Sequence, residues 1–459
     1  MTVCNKRNMR IHLLCDHKWR DLPNLSAVKA RLEKLDHTVL LSTTKDSRAM
    51  IGAFRPDCVV LNHLFSEENL KLARTLKASG VTVVILPTEG ATRPELRTLS
   101  EGEFSDFRLA DLILAWSQPS AENIRLRWGL SAEQVPVTGC SRLDFYHQEF
   151  SGVLDTRESF CRKYGLDESR PIVTWATQYV YAHVGTSNAS PNFVKWYREF
   201  QDVGATKCYE RIGIDPTRIP MLHAQGREAA AKSFFALAKA MPAVQFLIKP
   251  HPVEELDFYI RCIEESGCEN IRFCPATYIW NVLNSTDIQL HRQCTTAVET
   301  WMWNKPTIEM AMDIVPEMIW EDREEGSDIA CDTDTLVDLV RNYLSNPIIV
   351  DAQLSHRWKH INQWFGPTDG RRCIDVAETI SNFLMSHAKR RSYFFSLPDL
   401  NAPFKKSVGA SLRYGLNMLP DTPFFGKKKF KTEYSPHDKL ITRQDVLDYQ
   451  KILPALLRN

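Results

Sequence analysis

Four short clusters in this chain bring together side chains that can move protons or grip anions. They are Asp16-His17-Lys18, Thr88-Glu89-Gly90, Lys249-Pro250-His251-Pro252, and a run from His291 through Thr295 and Thr296 to Glu299. A carboxylate at Glu89, beside a glycine that lets backbone or substrate approach closely, suits a general base, with Asp16 as a reserve. The plain alternative is a helix-capping or solvated turn carboxylate. His251 sits between two prolines that hold it in an extended turn. With Lys249 it forms a donor pair suited to a phosphodiester or diphosphate, although a structural histidine in a proline turn fits the same spacing. Thr295 and Thr296 precede a helical stretch and can offer hydroxyls and N–H groups to an anion, or simply cap the helix. Glu299, one turn further on, can accept from ribose hydroxyls or stand as an exposed helix carboxylate. Two other signals carry less. Asp332-Thr333-Asp334 spells DxD but reads as a cap before a helix over 335–344, and Cys262, Cys268 and Cys274 lack the close pairs of a zinc site.

The elements around these clusters alternate in kind. Apolar runs at 10–15, 37–42, 57–62, 81–86 and 111–117 read as strands, with helices over 25–35, 47–54 and 66–78 between them. Continuous apolar strands separated by helices specify a parallel sheet covered on both faces. A second unit repeats the rhythm: strands at 171–177, 244–248, 270–273, 287–290 and a last one at 306–310, with helices over 226–240, 256–266, 278–284 and 297–303. Neither unit carries a GxGxxG loop, so a dinucleotide fingerprint is absent. Residues 187–221 are polar and aromatic without a clear period and read as a loop-rich insertion. Ligands of open α/β sheets bind beyond the carboxyl ends of the strands, where all four clusters fall. The expected architecture is α/β, with two Rossmann-like domains facing across a cleft.

Composition sets the outer bounds. The 459 residues, 44% hydrophobic and 25% charged, are ordinary globular composition and exclude wholesale disorder, a collagen-like repeat or a coiled-coil rod. No apolar run is long enough to span a membrane, residues 1–12 do not read as a secretory signal, and twelve scattered cysteines read as reduced thiols. A cytoplasmic protein is the expectation. The net charge of +1 hides an asymmetry: residues 381–459 hold 14 basic and 6 acidic side chains, against 43 and 50 in the rest. Such a tail suits an anionic partner such as the inner membrane surface, or packs back on the acidic body; no nucleic-acid module is recognisable.

The order of these motifs resembles a known family. Residues 247–252 (LIKPHP), 291–299 (HRQCTTAVE) and 304–306 (NKP) resemble the donor half of GT-B glycosyltransferases that make bacterial surface polysaccharides such as lipopolysaccharide and capsule. Residues 86–90 (LPTEG), 137–144 (VTGCSRLD) and 365–371 (FGPTDGR) are similar to segments of the surface carbohydrate biosynthesis proteins, and the likeness runs from about residue 11 to about residue 384. The GT-B resemblance implies an acceptor domain over 1–150, a donor domain over 165–380 with the insertion at 187–221, and a basic aromatic extension over 381–459. His251-Pro252 and Thr295-Thr296 match the phosphate grip of CMP-sialic acid and CMP-Kdo transferases. Thr88-Glu89-Gly90 matches their acidic-acidic-Gly motif in part, with Thr88 in an acidic position. The resemblance thus implies a metal-independent glycosyltransferase without a cofactor, using a nucleotide-sugar, in first place a CMP-activated keto-acid sugar, and a lipid-linked glycan acceptor. Lys249, His251, Pro252, Thr295 and Thr296 would hold phosphate, Glu299 the ribose, and Glu89 would take the acceptor proton. His251 would also place positive charge near the departing phosphate. A CDP-glycerol or CDP-ribitol polyol-phosphate transferase, a sugar-nucleotide epimerase and a non-catalytic assembly scaffold share these features.

Overall fold

The structure, a computed structural model, describes residues 8–91, 106–185, 190–202, 204–275, 277–312 and 320–387. Strands β1 (Arg10–Cys15), β2 (Thr38–Thr43), β3 (Cys58–Leu61), β4 (Thr82–Ile85) and β5 (Leu112–Ile113) form a parallel sheet in the order β2-β1-β3-β4-β5. Helices α1 (Lys18–Lys34), α2 (Ser47–Phe54), α3 (Glu67–Ala78) and α4 (Gln118–Trp128) accompany it. Local chemistry sets the helix ends. Ser66 accepts from the Asn69 N–H at the start of α3, and Gly129 ends α4 at φ +64°. α1 differs from the sequence reading: it begins at Lys18 rather than near residue 25 and carries Pro23 inside it. A proline removes a helical hydrogen bond, but burial of Leu22, Leu25, Val28 and Leu32 holds the helix through it.

The second sheet is built from β6 (Ile172–Ala176), β7 (Gln245–Lys249), β8 (Ile271–Phe273), β9 (Ile288–His291), β10 (Thr307–Met310) and β11 (Asp328–Ala330). Its order is β11-β10-β9-β6-β7-β8, again all parallel. The three-residue edge strand β11 lies beyond the strand expected to be last, and its brevity explains why no pattern announced it. The helices that follow β5's unit in the chain are α5 (Arg157–Tyr164), α6 (Pro191–Asp202), α7 (Ala205–Arg211), α8 (Ile219–Ala240), α9 (Leu256–Ser266), α10 (Ile279–Ser285), α11 (Thr296–Trp301), α12 (Glu321–Glu324), α13 (Thr333–Ser345), α14 (Asp351–Trp364) and α15 (Arg372–Ser386). Asp332 caps α13 by accepting from the Thr335 N–H at 2.7 Å.

The segment expected to be loop-rich is instead largely helical. Phe193, Trp196 and Phe200 recur at helical spacing along α6 and pack with Ala205, Tyr209, Ile214 and Ile219 into a small core that also takes in Tyr181. At the other end of the chain, α15 returns to the first unit. Its Val376, Ala377, Ile380 and Leu384 share a core with α1, and the His37 Nε2 lies 2.8 Å from the Ser381 hydroxyl. The two chain crossings are stitched together: the Cys140 N–H donates to the Phe365 carbonyl at 2.8 Å, and Asp144 accepts from the N–H groups of Arg372 and Cys373 at 3.1 and 2.6 Å. Among the described residues no helix is long and apolar enough to cross a membrane. The basic aromatic extension beyond residue 387 lies outside the described residues.

Candidate functional site

Each sheet reverses its strand order once, between β1 and β3 in the first and between β6 and β9 in the second. At such a switch point the loops diverge and leave a crevice at the carboxyl ends of the strands. In the first unit the loops after β1, β3 and β4, with Trp116 after β5, enclose a cavity of 260 Å³ lined by Asp16, Arg20, Asn62, Thr88, Glu89 and Trp116, among others. Gly90 is needed here for close packing: a Cβ on it would meet the Trp116 ring at 2.5 Å.

The organising charge in this cavity is Arg20, which sequence reasoning missed. Its guanidinium donates to Asp21 through Nε at 2.7 Å and Nη2 at 3.1 Å, to Glu89 at 3.1 Å and to Asp16 at 3.3 Å. Burial works against this cation, but Asp21, then Glu89 and Asp16, outweigh it and hold Arg20 above its ordinary range. Asp21 is buried and also accepts from the His17 N–H at 2.9 Å, whereas the Glu89 side chain is 76% exposed. One guanidinium thus aligns both carboxylates expected at the site, Asp16 and Glu89, and leaves Glu89 at the mouth. The signal available beforehand was the i, i+4 spacing of Asp16 and Arg20, hidden because Pro23 argued against a helix there.

The second unit carries the other candidate residues. His251 follows β7; its N–H donates to the Thr177 hydroxyl at 3.3 Å, and its Nδ1 accepts from the Val253 N–H at 3.4 Å. That bond places the ring proton on Nε2. Burial first, then the positive charges of Lys249, Arg20 and His17, push the imidazole down to about 3. Arg20 and His17 belong to the first unit, and beside them Trp19 meets Tyr278 of the second unit edge-on at 4.8 Å, so α1 faces the second unit here. Such a lowered imidazole suits a neutral hydrogen-bond donor rather than a positive charge. Lys249 is buried and donates to the carbonyls of Pro250 and Pro275, each at 3.2 Å, so its ammonium braces the turn that carries His251 and Pro252. Glu254, also unforeseen, accepts from the Thr177 hydroxyl at 2.8 Å and the Tyr179 N–H at 2.6 Å, and burial pushes it up to about 7.

The loop after β9 is shaped from within. Glu309, buried on β10, pairs with His291 at 3.0 Å and Arg292 at 2.7 Å and accepts from the Gln293 N–H, whose residue sits at φ +47°. Burial raises the Glu309 carboxyl, but His291 and Arg292 outweigh it and hold it low. This turn delivers Thr295 to the start of α11, where its side chain makes no capping bond, contrary to the capping alternative. The Thr296 hydroxyl accepts from Gln289 at 2.6 Å. Glu299 is not exposed: it is 3% accessible, lies 3.3 Å from Arg142 of the first crossing, and burial raises its carboxyl despite that partner.

No protein-family model matches the chain, and no curated protein matches it either. Solved structures do. UDP-GlcNAc 2-epimerase from Neisseria meningitidis, bound to UDP-GlcNAc, superposes with a TM-score of 0.53 at 13% identity, covering 82% of this chain and all of that one. MnaA of S. aureus with UDP gives 0.53 at 13% identity over 84% of this chain and all of that one. The wall teichoic acid polymerase TagF gives 0.52 at 10% identity over 83% of this chain and 90% of that one. With two parallel α/β units and the crossing of α15 back to α1, these superpositions establish that the chain has the GT-B fold.

Proposed function

We propose that this protein is a glycosyltransferase that moves a sugar from a nucleotide donor, held by the second unit, to a hydroxyl of a glycan acceptor seated in the first. The observation that carries the reading is the meeting of His251 with the Arg20–Asp16–Glu89 cluster at the carboxyl ends of two facing sheets, beside a separate cavity on the first unit. A room for a second substrate favours transfer over epimerisation, which needs none. Glu89, exposed at the mouth of that cavity, takes the acceptor proton as the acceptor oxygen attacks the anomeric carbon. The bond from that carbon to the donor phosphate oxygen breaks, and the electron pair leaves with the nucleotide. The neutral His251 donates its Nε2 proton as a hydrogen bond to that phosphate without transferring it, and Thr295 and Thr296 line the same crevice.

The resemblance to CMP-sialic acid and CMP-Kdo transferases puts CMP-activated keto-acid sugars first among donors and a lipid-linked surface glycan first among acceptors. In this reading the domains divide as 1–150 for the acceptor and 165–380 for the donor, and residues 381–459 bring the enzyme to an anionic membrane surface. The test is a panel of CMP-sugars, CDP-glycerol and UDP-GlcNAc, scored first by thermal stabilisation and then by turnover with and without a glycan acceptor. A CMP-sugar should stabilise the protein and turn over only with acceptor. Turnover of donor alone would make it an epimerase, and transfer from CDP-glycerol would make it a polyol-phosphate transferase.

A further inference from the structure

Arg142 stands where the two halves of the molecule exchange force. It lies in the first chain crossing, just after Gly139, whose φ of +78° turns the chain. Three groups surround its guanidinium. Glu299 on α11 of the second unit lies 3.3 Å from Nε, the Thr88 carbonyl of the first unit accepts from Nη1 at 3.4 Å, and the Trp116 ring lies 5.7 Å away with its centroid facing the charge. Thr88 directly precedes Glu89, and Trp116 is the ring against which Gly90 packs. A single planar cation therefore touches the donor-side helix and both supports of the acceptor-side carboxylate. Lysine could satisfy one of these partners but lacks the fork to hold them together.

We propose that Arg142 is a positioning residue that couples Glu299 on the donor side to the loop carrying Glu89 on the acceptor side. The carboxylate of Glu299 has Oε1 3.3 Å from Arg142, and the buried Tyr146 hydroxyl stands near enough to offset, as a donor, part of the rise that burial imposes; its second oxygen, Oε2, is buried and makes no hydrogen bond of its own. With Tyr146 not closed onto it, that oxygen can accept from a donor hydroxyl reaching α11. Accepting such a bond draws charge away from Arg142, relaxes the pair, and shifts the guanidinium toward Thr88 and Trp116. Occupation of the donor side is thereby transmitted to the base, through a chain of direct contacts with Arg142 as its one two-sided member. The consequence for catalysis rests on the reading of Glu89 as base, but the coupling itself is a property of the empty protein and is tested there.

The experiment is hydrogen exchange followed by mass spectrometry on the full-length protein without any substrate, comparing wild type with Glu299→Gln, Arg142→Lys and Arg142→Met. Glu299 is linked to the loop at 86–91 through Arg142, so a role confined to α11 would leave that loop unchanged in Glu299→Gln. Coupling through Arg142 makes exchange at 86–91 about fivefold faster in Glu299→Gln. Arg142→Lys should retain slow exchange across α11 yet lose it at 86–91, and Glu299→Gln should add nothing further in an Arg142→Met background. Unchanged exchange at 86–91 in Glu299→Gln, with exchange elsewhere intact, overturns the proposal. So does an additive double variant, which shows two independent supports. Because no donor or acceptor is present, an enzyme with a different reaction would still show the coupling, and failure here leaves the proposed reaction standing.

Discussion

Replacing His251 with glutamine should make the protein less sensitive to acid. In the fold, burial together with Lys249, Arg20 and His17 pushes the imidazole from its ordinary 6.5 down to about 3. Between those values the unfolded chain binds a proton that the folded chain refuses, so stability falls as pH drops through 6.5 and keeps falling until about 3. At about pH 4.5 this one ring accounts for roughly 2–3 kcal/mol lost relative to pH 8. Other groups contribute as well. His12 and His223, pushed by burial to about 3 and about 4, add losses of the same sign. Asp144 and Glu254, pushed by burial to about 7, oppose them, because they hold protons in the fold and gain stability as pH falls below 7. These shared contributions cancel in the difference between wild type and His251→Gln, which isolates the one histidine. The assay is urea unfolding of both proteins at about pH 8 and about pH 4.5. H251Q pays its ordinary packing cost at the higher pH and recovers roughly 2–3 kcal/mol against wild type at the lower. Parallel pH dependence of the two proteins would refute the buried neutral imidazole, and with it the hydrogen-bonding role given to His251.

The remaining expectations concern the first unit and the extension. Glu89→Gln should keep donor-induced thermal stabilisation and lose about 10²–10⁴ in turnover, with Asp16→Asn losing less; donor affinity lost with turnover kept would move Glu89 from catalysis to binding. Arg20→Met leaves the buried Asp21 carboxylate without its two guanidinium bonds and should cost about 3 kcal/mol in urea unfolding, whereas a loss near zero would mark the pair as surface-grade. Removing the residues after 387 should abolish salt-sensitive co-sedimentation with anionic vesicles; equal sedimentation of the full and shortened chains would exclude the extension as the anchor.

How much of this was legible in the sequence depended on which signal carried it. Strands β1, β4 and β6 could be read because burial on both faces keeps them largely apolar. Asp332 was readable as a cap because a side-chain oxygen three residues before an N–H is a local pattern. Helices α6 and α7 were not, since the few aromatic residues that form their core stand among many polar ones and mask the helical period. The start of α1 was hidden by Pro23, whose local cost is outweighed by tertiary burial that no local pattern displays. The return of α15 to α1 was equally invisible, because Ser381 and His37 are partners separated by 344 positions.

The candidate site shows the same division, in terms of charge. Sequence spacing located Asp16, Glu89 and His251 at strand ends and Thr295 and Glu299 about the start of a helix, but it gave the charged groups among them no partners. The fold pairs or neutralises nearly all of them. Lys249 is taken up by two carbonyls, Arg292 by Glu309, Glu299 by Arg142, and Asp16 and Glu89 by Arg20, while burial removes the charge of His251. In the proposed reading, a ligand phosphate in the second unit meets donors already held in fixed directions, and a charge it recruits must be drawn from existing partners. That arrangement favours preorganised hydrogen bonds over free cations, since oriented donors in a partly dry crevice stabilise developing charge without rearranging. It also makes Arg142 the group through which occupancy of one unit can be felt in the other, because it already holds the Glu299 carboxylate of the second unit and the Thr88 carbonyl of the first.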